Sequence, residues 1–566
     1  MISNYFKVFF ILFLFIFSNE VKSKTNENIE FRISELSNYF SAVVAYGNQE
    51  NEQSLKYFKS SRNLLNKHDE YLRQYIFSLV LNQNVTRAIQ EIKFSENKKN
   101  SIFFESYLLL FLDSIKKKDY EKSNFYLNEI SNYKDQGTFE QVIYETLRNY
   151  LFTFEKKKIS PKKSNFGNLT LINEAFVRCY LDDQKTIVYF ENLLNSSEVD
   201  YSRYLFFYTS YLVEKNKLID AKNLLSNVDN LSNSLIILQT KLWIDENKTS
   251  NFEKIFSCKN ETDILSEFFF LVSNLYSGQE DFEKSNFYLS ISNFLNKKFK
   301  FNLSLMAENY FINENFKESI NILENFDKKD DIYYWYKIKT NSKIISKRKN
   351  DDESLKYLEK NFNKIKNPSL KILFDMANIY KSFKKYDESI KLYSEVMQRV
   401  EEDGSIYADL LYKRGGSYER LGNHEKSDID LLAALKIAPD DSYILNYLAY
   451  SWLERNYKIP KAIEMLELAY KKNENDPYII DSVGWGYYLT EKFEEAEVFM
   501  RRALELMPND PIVNDHYGDI LWSLNRKIQA KYFWNNVLKL KDVDDETKIK
   551  IKTKLLKGPK KINESS

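Results

Sequence analysis

Residues that break helices are scarce in this chain. Twelve glycines and eight prolines serve 566 residues, too few for the turns of a many-stranded fold or for long coil. Three histidines and two cysteines offer no metal-ligand spacing. No H-E-x-x-H, G-x-S-x-G or phosphate loop occurs, so the common hydrolase and nucleotide signatures are missing. A charge surplus is missing too: 82 basic residues face 81 acidic ones, for a net charge of +1. A nucleic-acid binder would show a basic excess. What the chain has instead is Lys, Asn, Ile, Phe and Tyr, all read from AT-rich codons. Its length exceeds one ordinary core, so several domains or an elongated array are expected.

The first residues read as a targeting segment. Lys7 precedes the ten-residue apolar run "VFFILFLFIF", Val8 to Phe17. Ten helical residues span about 15 Å, half the thickness of a hydrocarbon core. A signal peptide over residues 1–23, cleaved after Ser23, is therefore expected rather than a membrane span. No cysteine follows the run, which reads against a lipid anchor. The mature chain is expected to be exported, and periplasmic in a Gram-negative cell.

Self-similarity organises the rest. "EKSNFYL" occurs at Glu121–Leu127 and again at Glu283–Leu289. Near the carboxyl end, Pro477–Asp510 and Pro511–Asp544 are 34 residues each. The first of them carries Ile480, Gly484, Tyr487, Ala496, Met500, Ala503 and Pro508. Ala408–Asp441 carries Leu411, Gly415, Tyr418, Ser427, Leu431, Ala434 and Pro439 at the same phase. Ser442–Asp476 is one residue longer, with Ala449, Trp452, Ala462 and Ala469. Pro511–Asp544 has Gly518, Leu521, Ala530 and Trp534, with Asp542 in place of proline. Small residues at positions 8, 20 and 27 let helices approach, large ones fill the space between them, and the proline stops the second helix.

These residues resemble the tetratricopeptide repeat. The resemblance implies an all-α, right-handed α-solenoid of helix-turn-helix units. Position 20 can be followed upstream through Ser54, Ala88, Ser123, Ile187, Ala221, Ser285, Ser319, Ser354 and Ser389. Two gaps, Ser123 to Ile187 and Ala221 to Ser285, each fit two short helix pairs. The expected organisation is degenerate repeats over 24–265, clearer ones over 266–400, regular ones over 401–544, and a solvated capping helix with a basic tail over 545–566. In a linear array Cys179 and Cys258 would lie about two repeats apart, so two free thiols are expected.

Arrays of this family bind peptides or protein surfaces on a concave face lined by the first helix of each pair. Positions 2, 5, 9, 12 and 13 point there. Residue by residue, this implies a groove of Tyr412 and Arg420; Tyr443, Asn446 and Tyr450; Tyr478, Asp481, Trp485 and Tyr488; and Asp515, Asp519 and Trp522. Spacings of 3 and 4 put each set on one helix face. Part of this aromatic stripe follows from composition, since aromatics make up 16% of the chain. One subgroup of the family clamps a carboxyl terminus with lysines and asparagines. Asn446 fits that pattern, but the lysines are missing and three aspartates stand nearby. Basic or apolar protein segments are the expected partners, with no cofactor, metal or nucleic acid.

The carboxyl block also looks like the end of long envelope proteins of Gram-negative bacteria, some of which dock a carboxyl-terminal processing protease. The implied role is a non-catalytic adaptor or scaffold. The alternatives are an assembly scaffold for envelope polysaccharide or outer-membrane protein export, and an enzyme using His516. That histidine is expected at the surface, and His68 and His424 between helices. Within "DSVGWGYYL", Asp481–Leu489, Gly484 has a packing role at position 8. Gly486, at position 10, has none that the pattern supplies.

Overall fold

The computed structural model describes residues 32–559 except 67, 96–102, 162–164, 196–202, 232 and 542. The expected signal peptide and the last residues of the basic tail lie outside this set. Thirty α-helices and no strand occur among the described residues. The fold is all-α. It divides into two compact units: one holds residues up to 228 together with 233–359, the other 360–566 together with 229–232.

Helices come in pairs, and the turn within a pair recurs. Gln49, Gln83, Lys118, Asn216, Glu280, Glu314, Lys384, Glu491 and Asn525 all have positive φ. Each precedes a position-20 residue by five. The left-handed region costs a non-glycine residue roughly 1–2 kcal/mol. Backbone hydrogen bonds offset that cost, because the N–H after the left-handed residue reaches back to a free carbonyl of the helix end. Asn84 N donates to Leu79 O at 2.8 Å, and Lys492 N to Tyr487 O at 2.9 Å. This is how the chain turns so often with so few glycines.

Position 20 is where the paired helices touch. Ser54, Ala88, Ser123, Ala221, Ser285, Ser319, Ser354, Ser389, Ser427, Ala462, Ala496 and Ala530 are all buried. Several of the serines there also satisfy their hydroxyls across the contact, although Ser427 Oγ is buried without a partner. Ser54 Oγ donates to Ala42 O at 3.1 Å and Ser319 Oγ to Ala307 O at 2.8 Å. Ile187 is a correction: it is only half-buried, and its neighbour Thr186 takes the buried place. The repeated "EKSNFYL" opens two second helices, Tyr120–Ile130 and Phe282–Leu295. Asp119 and Asp281 cap them, each accepting from a lysine N–H at 3.1 Å.

The first of the two long gaps differs from expectation. It holds the single helix Thr138–Lys156, an irregular stretch, and then the pair Asn168–Leu181 and Thr186–Leu194. The second gap does hold two pairs, Leu235–Asp245 with Ser250–Ile255, and Glu261–Gly278 with Phe282–Leu295.

The first unit closes on itself. Its core is one continuous cluster running from Tyr39 to Tyr333. Early helices meet late ones: Phe77 stacks on Phe287 at 4.5 Å. Asn51 Nδ2 donates to Tyr310 Oη at 2.8 Å, Gln83 Nε2 to Ser290 Oγ at 2.7 Å, and the Tyr46 hydroxyl to Glu283. This curling overturns the expectation of free thiols. Cys179 and Cys258 form a disulfide, with Cα atoms 5.9 Å apart. Phe256 packs on Phe176 and Phe207, which brings the two distant segments together.

The second unit is the regular one. Its helix pairs are Leu370–Ser382 with Tyr386–Met397, Ser405–Arg420 with His424–Ile437, Ser442–Glu454 with Ile459–Lys472, Pro477–Leu489 with Phe493–Leu506, and Pro511–Ser523 with Lys527–Lys539. The extra residue of the third pair sits in its turn, where both Asn456 and Lys458 have positive φ. The capping helix is Asp545–Lys557, with Asp544 accepting from Thr547 N at 2.8 Å. It is less solvated than expected, because Lys554 is buried. No helix among the described residues is long and apolar enough to cross a membrane.

Candidate protein-binding groove

Three aspartates set the entry of the groove-lining helices. Asp441, Asp476 and Asp510 each cap a first helix by accepting two backbone N–H groups, at 2.8–3.2 Å. Pro477 and Pro511 follow two of these caps, where a missing N–H costs nothing.

Between these helices lies a cavity of about 420 Å³, lined by Glu419, Arg420, Asn446, Tyr447, Tyr450, Ser451, Glu454, Tyr478, Asp481, Ser482, Asp510, Ile512 and Val513. It brings together five residues expected from the sequence: Arg420, Asn446, Tyr450, Tyr478 and Asp481. Tyr443 stands exposed nearby, its hydroxyl donating to Asp476 at 3.2 Å. Tyr412 packs edge-on against Tyr447. Trp485 Nε1 donates to the lining residue Glu454 at 2.7 Å.

The remaining residues are placed elsewhere. Tyr488 is buried beneath Trp485 and touches Phe493. Asp515 and Asp519 are buried under Lys554, whose Nζ lies 2.5 and 2.6 Å from them. Trp522 packs on Trp534 at 5.4 Å. A β-carbon on Gly558, just past the capping helix, would meet its ring at 2.6 Å. The terminal helix and the glycine after it therefore cover Asp515, Asp519 and Trp522, while Ile512, at position 2, stays on the groove wall. Glu454 was legible, since it stands at position 13 of its repeat. Tyr447, Ser451 and the cap Asp510 were not, because the pattern assigns their positions to no face.

His516 corrects the surface expectation. It is buried, with Nδ1 2.9 Å from Asp481 Oδ1, and Trp485 stacks on its ring at 3.9 Å. Burial alone would lower its pKa, but Asp481, Asp515 and Asp519 together raise it above the ordinary histidine value. The ring thus lies between a carboxylate and an indole, both of which favour its protonated form. Asp519 is pushed up to about 6, by burial first, with Lys554 opposing and Asp515 adding. His68 does stand just before a helix, whereas His424 opens one.

Both glycines of the Asp481–Leu489 stretch are packing sites. A β-carbon on Gly484 would lie 3.2 Å from Met500 Cε and 3.3 Å from Ala496 O, in its own pair. One on Gly486 would lie 3.2 Å from Leu453 and 3.3 Å from Leu466, in the preceding pair. Position 10 thus meets the neighbouring repeat, and Gly486 leaves room for two leucines.

Two lining polar atoms, Asn446 Oδ1 and Ser451 Oγ, are buried without a hydrogen-bond partner. Such atoms cost roughly 1–3 kcal/mol each until a partner arrives. Glu419, Glu454, Asp481 and Asp510 outnumber Arg420 on the walls.

An all-α repeat protein with a groove along its first helices is the class that this fold defines. The tetratricopeptide repeat model matches residues 408–441, the first regular repeat found by phase. That part of the chain is tetratricopeptide-repeat sequence. A TPR repeat-containing protein of Pseudomonas aeruginosa is 33% identical over 125 residues, which are 22% of this chain and 21% of that protein. The chain thus aligns with about a fifth of the length of that curated relative. A thermophilic TPR protein of Thermus thermophilus is similar over 33% of this chain and 100% of its own, at 16% identity and a TM-score of 0.30. MamA of Desulfovibrio magneticus covers 31% of this chain and 97% of its own, at 18% identity and a TM-score of 0.27.

Proposed function

We infer that the chain is a non-catalytic adaptor of the bacterial cell envelope, which holds an extended segment of a partner protein in the groove of its second unit. The observation that carries this reading is the pair of unpartnered buried atoms, Asn446 Oδ1 and Ser451 Oγ, on the wall of a 420 Å³ groove. Backbone N–H and C=O groups of an extended segment would satisfy them. Tyr450 and Tyr478 offer flat apolar faces, and the acidic walls favour lysine or arginine side chains. Export is supported by the apolar run at Val8–Phe17 and by the Cys179–Cys258 disulfide, which suits an oxidising compartment. A periplasmic protease is the first partner to test, on the resemblance of the carboxyl block.

A photo-crosslinking residue at Tyr478, which is 60% exposed, should trap one partner in native envelopes. The same residue at Ile528, 88% exposed and not part of the groove lining, should not. Glu454→Gln should weaken the trapped band. Equal trapping at both positions would sink the groove. Recovery of an export machine instead of a single client would favour the assembly-scaffold role.

A further inference from the structure

The turn that joins the helices Asp331–Arg348 and Asp351–Phe362 departs from the recurring one. Lys349 stands five residues before Ser354, where most pairs have a left-handed residue, yet its φ is −127°. Beside this turn, in the first unit, lies a cavity of about 420 Å³. Its lining joins the buried or half-buried Ile320, Ile344, Ile345 and Tyr357 to the exposed Arg348 and Lys349. Asn341 lines it too. Asn341 Nδ2 donates to the Tyr357 hydroxyl at only 3.5 Å, and its Oδ1 is buried with no hydrogen-bond partner.

These are not the residues of a repeat's peptide-binding face. Counted from Ser354 at position 20, that face takes Tyr336, Lys339, Lys343, Ser346 and Lys347, none of which lines the cavity. The cavity sits in the seam between one pair and the next, instead of running along the first helices of several repeats. Basic residues at a helix end are ordinary, since they suit its carbonyl groups. Here an apolar cavity and an unpartnered amide oxygen accompany them. Acids close in sequence have other partners: Asp351 accepts from the Ser346 hydroxyl, Glu314 meets Lys347 at 3.8 Å and Glu353 meets Lys356 at 3.1 Å. Arg348 and Lys349 have no ion pair among the described residues. A cavity of a few hundred Å³ with an apolar lining and a few polar groups suits a small molecule.

We propose that this cavity binds a free amphiphilic acid of the N-acyl amino acid type. Its acyl chain would lie on the three isoleucines, its anionic group at Arg348 and Lys349, and its N–H would donate to Asn341 Oδ1. The site does not depend on the groove of the second unit.

The test uses the full chain and matched probes. Anilinonaphthalene sulfonate has an aromatic body, an N–H and one negative charge, and N-phenylnaphthylamine lacks only the charge. In fluorescence titrations the sulfonate should bind about tenfold tighter. Replacing both cations, Arg348→Gln with Lys349→Gln, should remove that advantage without lowering the unfolding temperature. N-octanoylglycine should displace the sulfonate about tenfold better than N-octanoylsarcosine, which has no N–H. Asn341→Leu should erase that difference, and Ile345→Trp should fill the cavity and block both probes. Where either of these two variants melts early, the cation variant and the two acids still decide. Sulfonate binding that persists in the cation variant overturns the site, as does failure of N-octanoylglycine to displace it. Displacement by phosphatidylglycerol vesicles but not by the free acid overturns the small-molecule assignment.

Discussion

The two units use one helix pair in opposite ways. In the first, the inner face of the early helices is filled by late ones, as Phe77 on Phe287 and Asn51 on Tyr310 show. In the second, the first helices leave a groove with unsatisfied polar atoms. The difference lies in side chains more than in turns, since the left-handed turn residue recurs in both. The first unit places Phe, Tyr and Leu on both sides of its first helices, as in Phe104–Lys116, where ten residues are buried. The second keeps small residues at the contact positions and tyrosines or acids on the free face. A repeat with apolar residues all round folds into a core, whereas a repeat with one polar face stays open to partners.

The largest test of that contrast is the disulfide. Reducing Cys179–Cys258, or replacing both with serine, should cost the first unit roughly 4 kcal/mol, given a loop of 79 residues. Calorimetry should then show one transition moving down and the other staying. Movement of both would mean that the units unfold as one. Next is Lys554→Met, which strands two buried aspartates and should cost the second unit about 3 kcal/mol. Adding Asp515→Asn and Asp519→Asn should restore much of the loss.

The smallest effect is that of pH. The folded pKa of His516 lies above the ordinary 6.5. Its contribution is therefore fully present below 6.5 and is lost as pH rises through the folded value. In the first unit, burial pushes Asp263 from 3.8 to about 6. It has the same sign, but its effect is complete at lower pH. With Lys381 replaced by methionine, which removes the opposite trend of an ammonium held down to about 8 by burial, the second unit should lose stability as pH rises above 6.5, and a further His516→Asn should reduce that loss, as read by melting curves at each pH.

The helical fold was legible because its period is written in small residues that stay buried at position 20. The groove was legible in part. Arg420, Asn446, Tyr450, Tyr478 and Asp481 follow from position alone, because the first helices of the regular repeats run in phase. Asp515, Asp519 and Trp522 fall at the same positions but are covered, since nothing in the repeat pattern says that Lys554 of the last helix reaches back. Tyr488 shares the spacing of Trp485 yet turns inward. The disulfide was hidden for a similar reason: distance along a straight array is a poor guide once the array curls.

The left-handed turns reach beyond mechanics to the genetic code. Every non-glycine residue with positive φ is Gln, Lys, Asp, Asn or Glu, and codons for these amino acids can be rich in A and T. Glycine codons all begin with two G's. Because backbone hydrogen bonds rather than glycine close the turn, a genome drifting toward A and T can rewrite almost every turn of this solenoid without unfolding it. Gly415, Gly484, Gly486 and Gly518 persist where a β-carbon would crowd a neighbour, whereas Gly47, Gly167, Gly278 and Gly422 face open space.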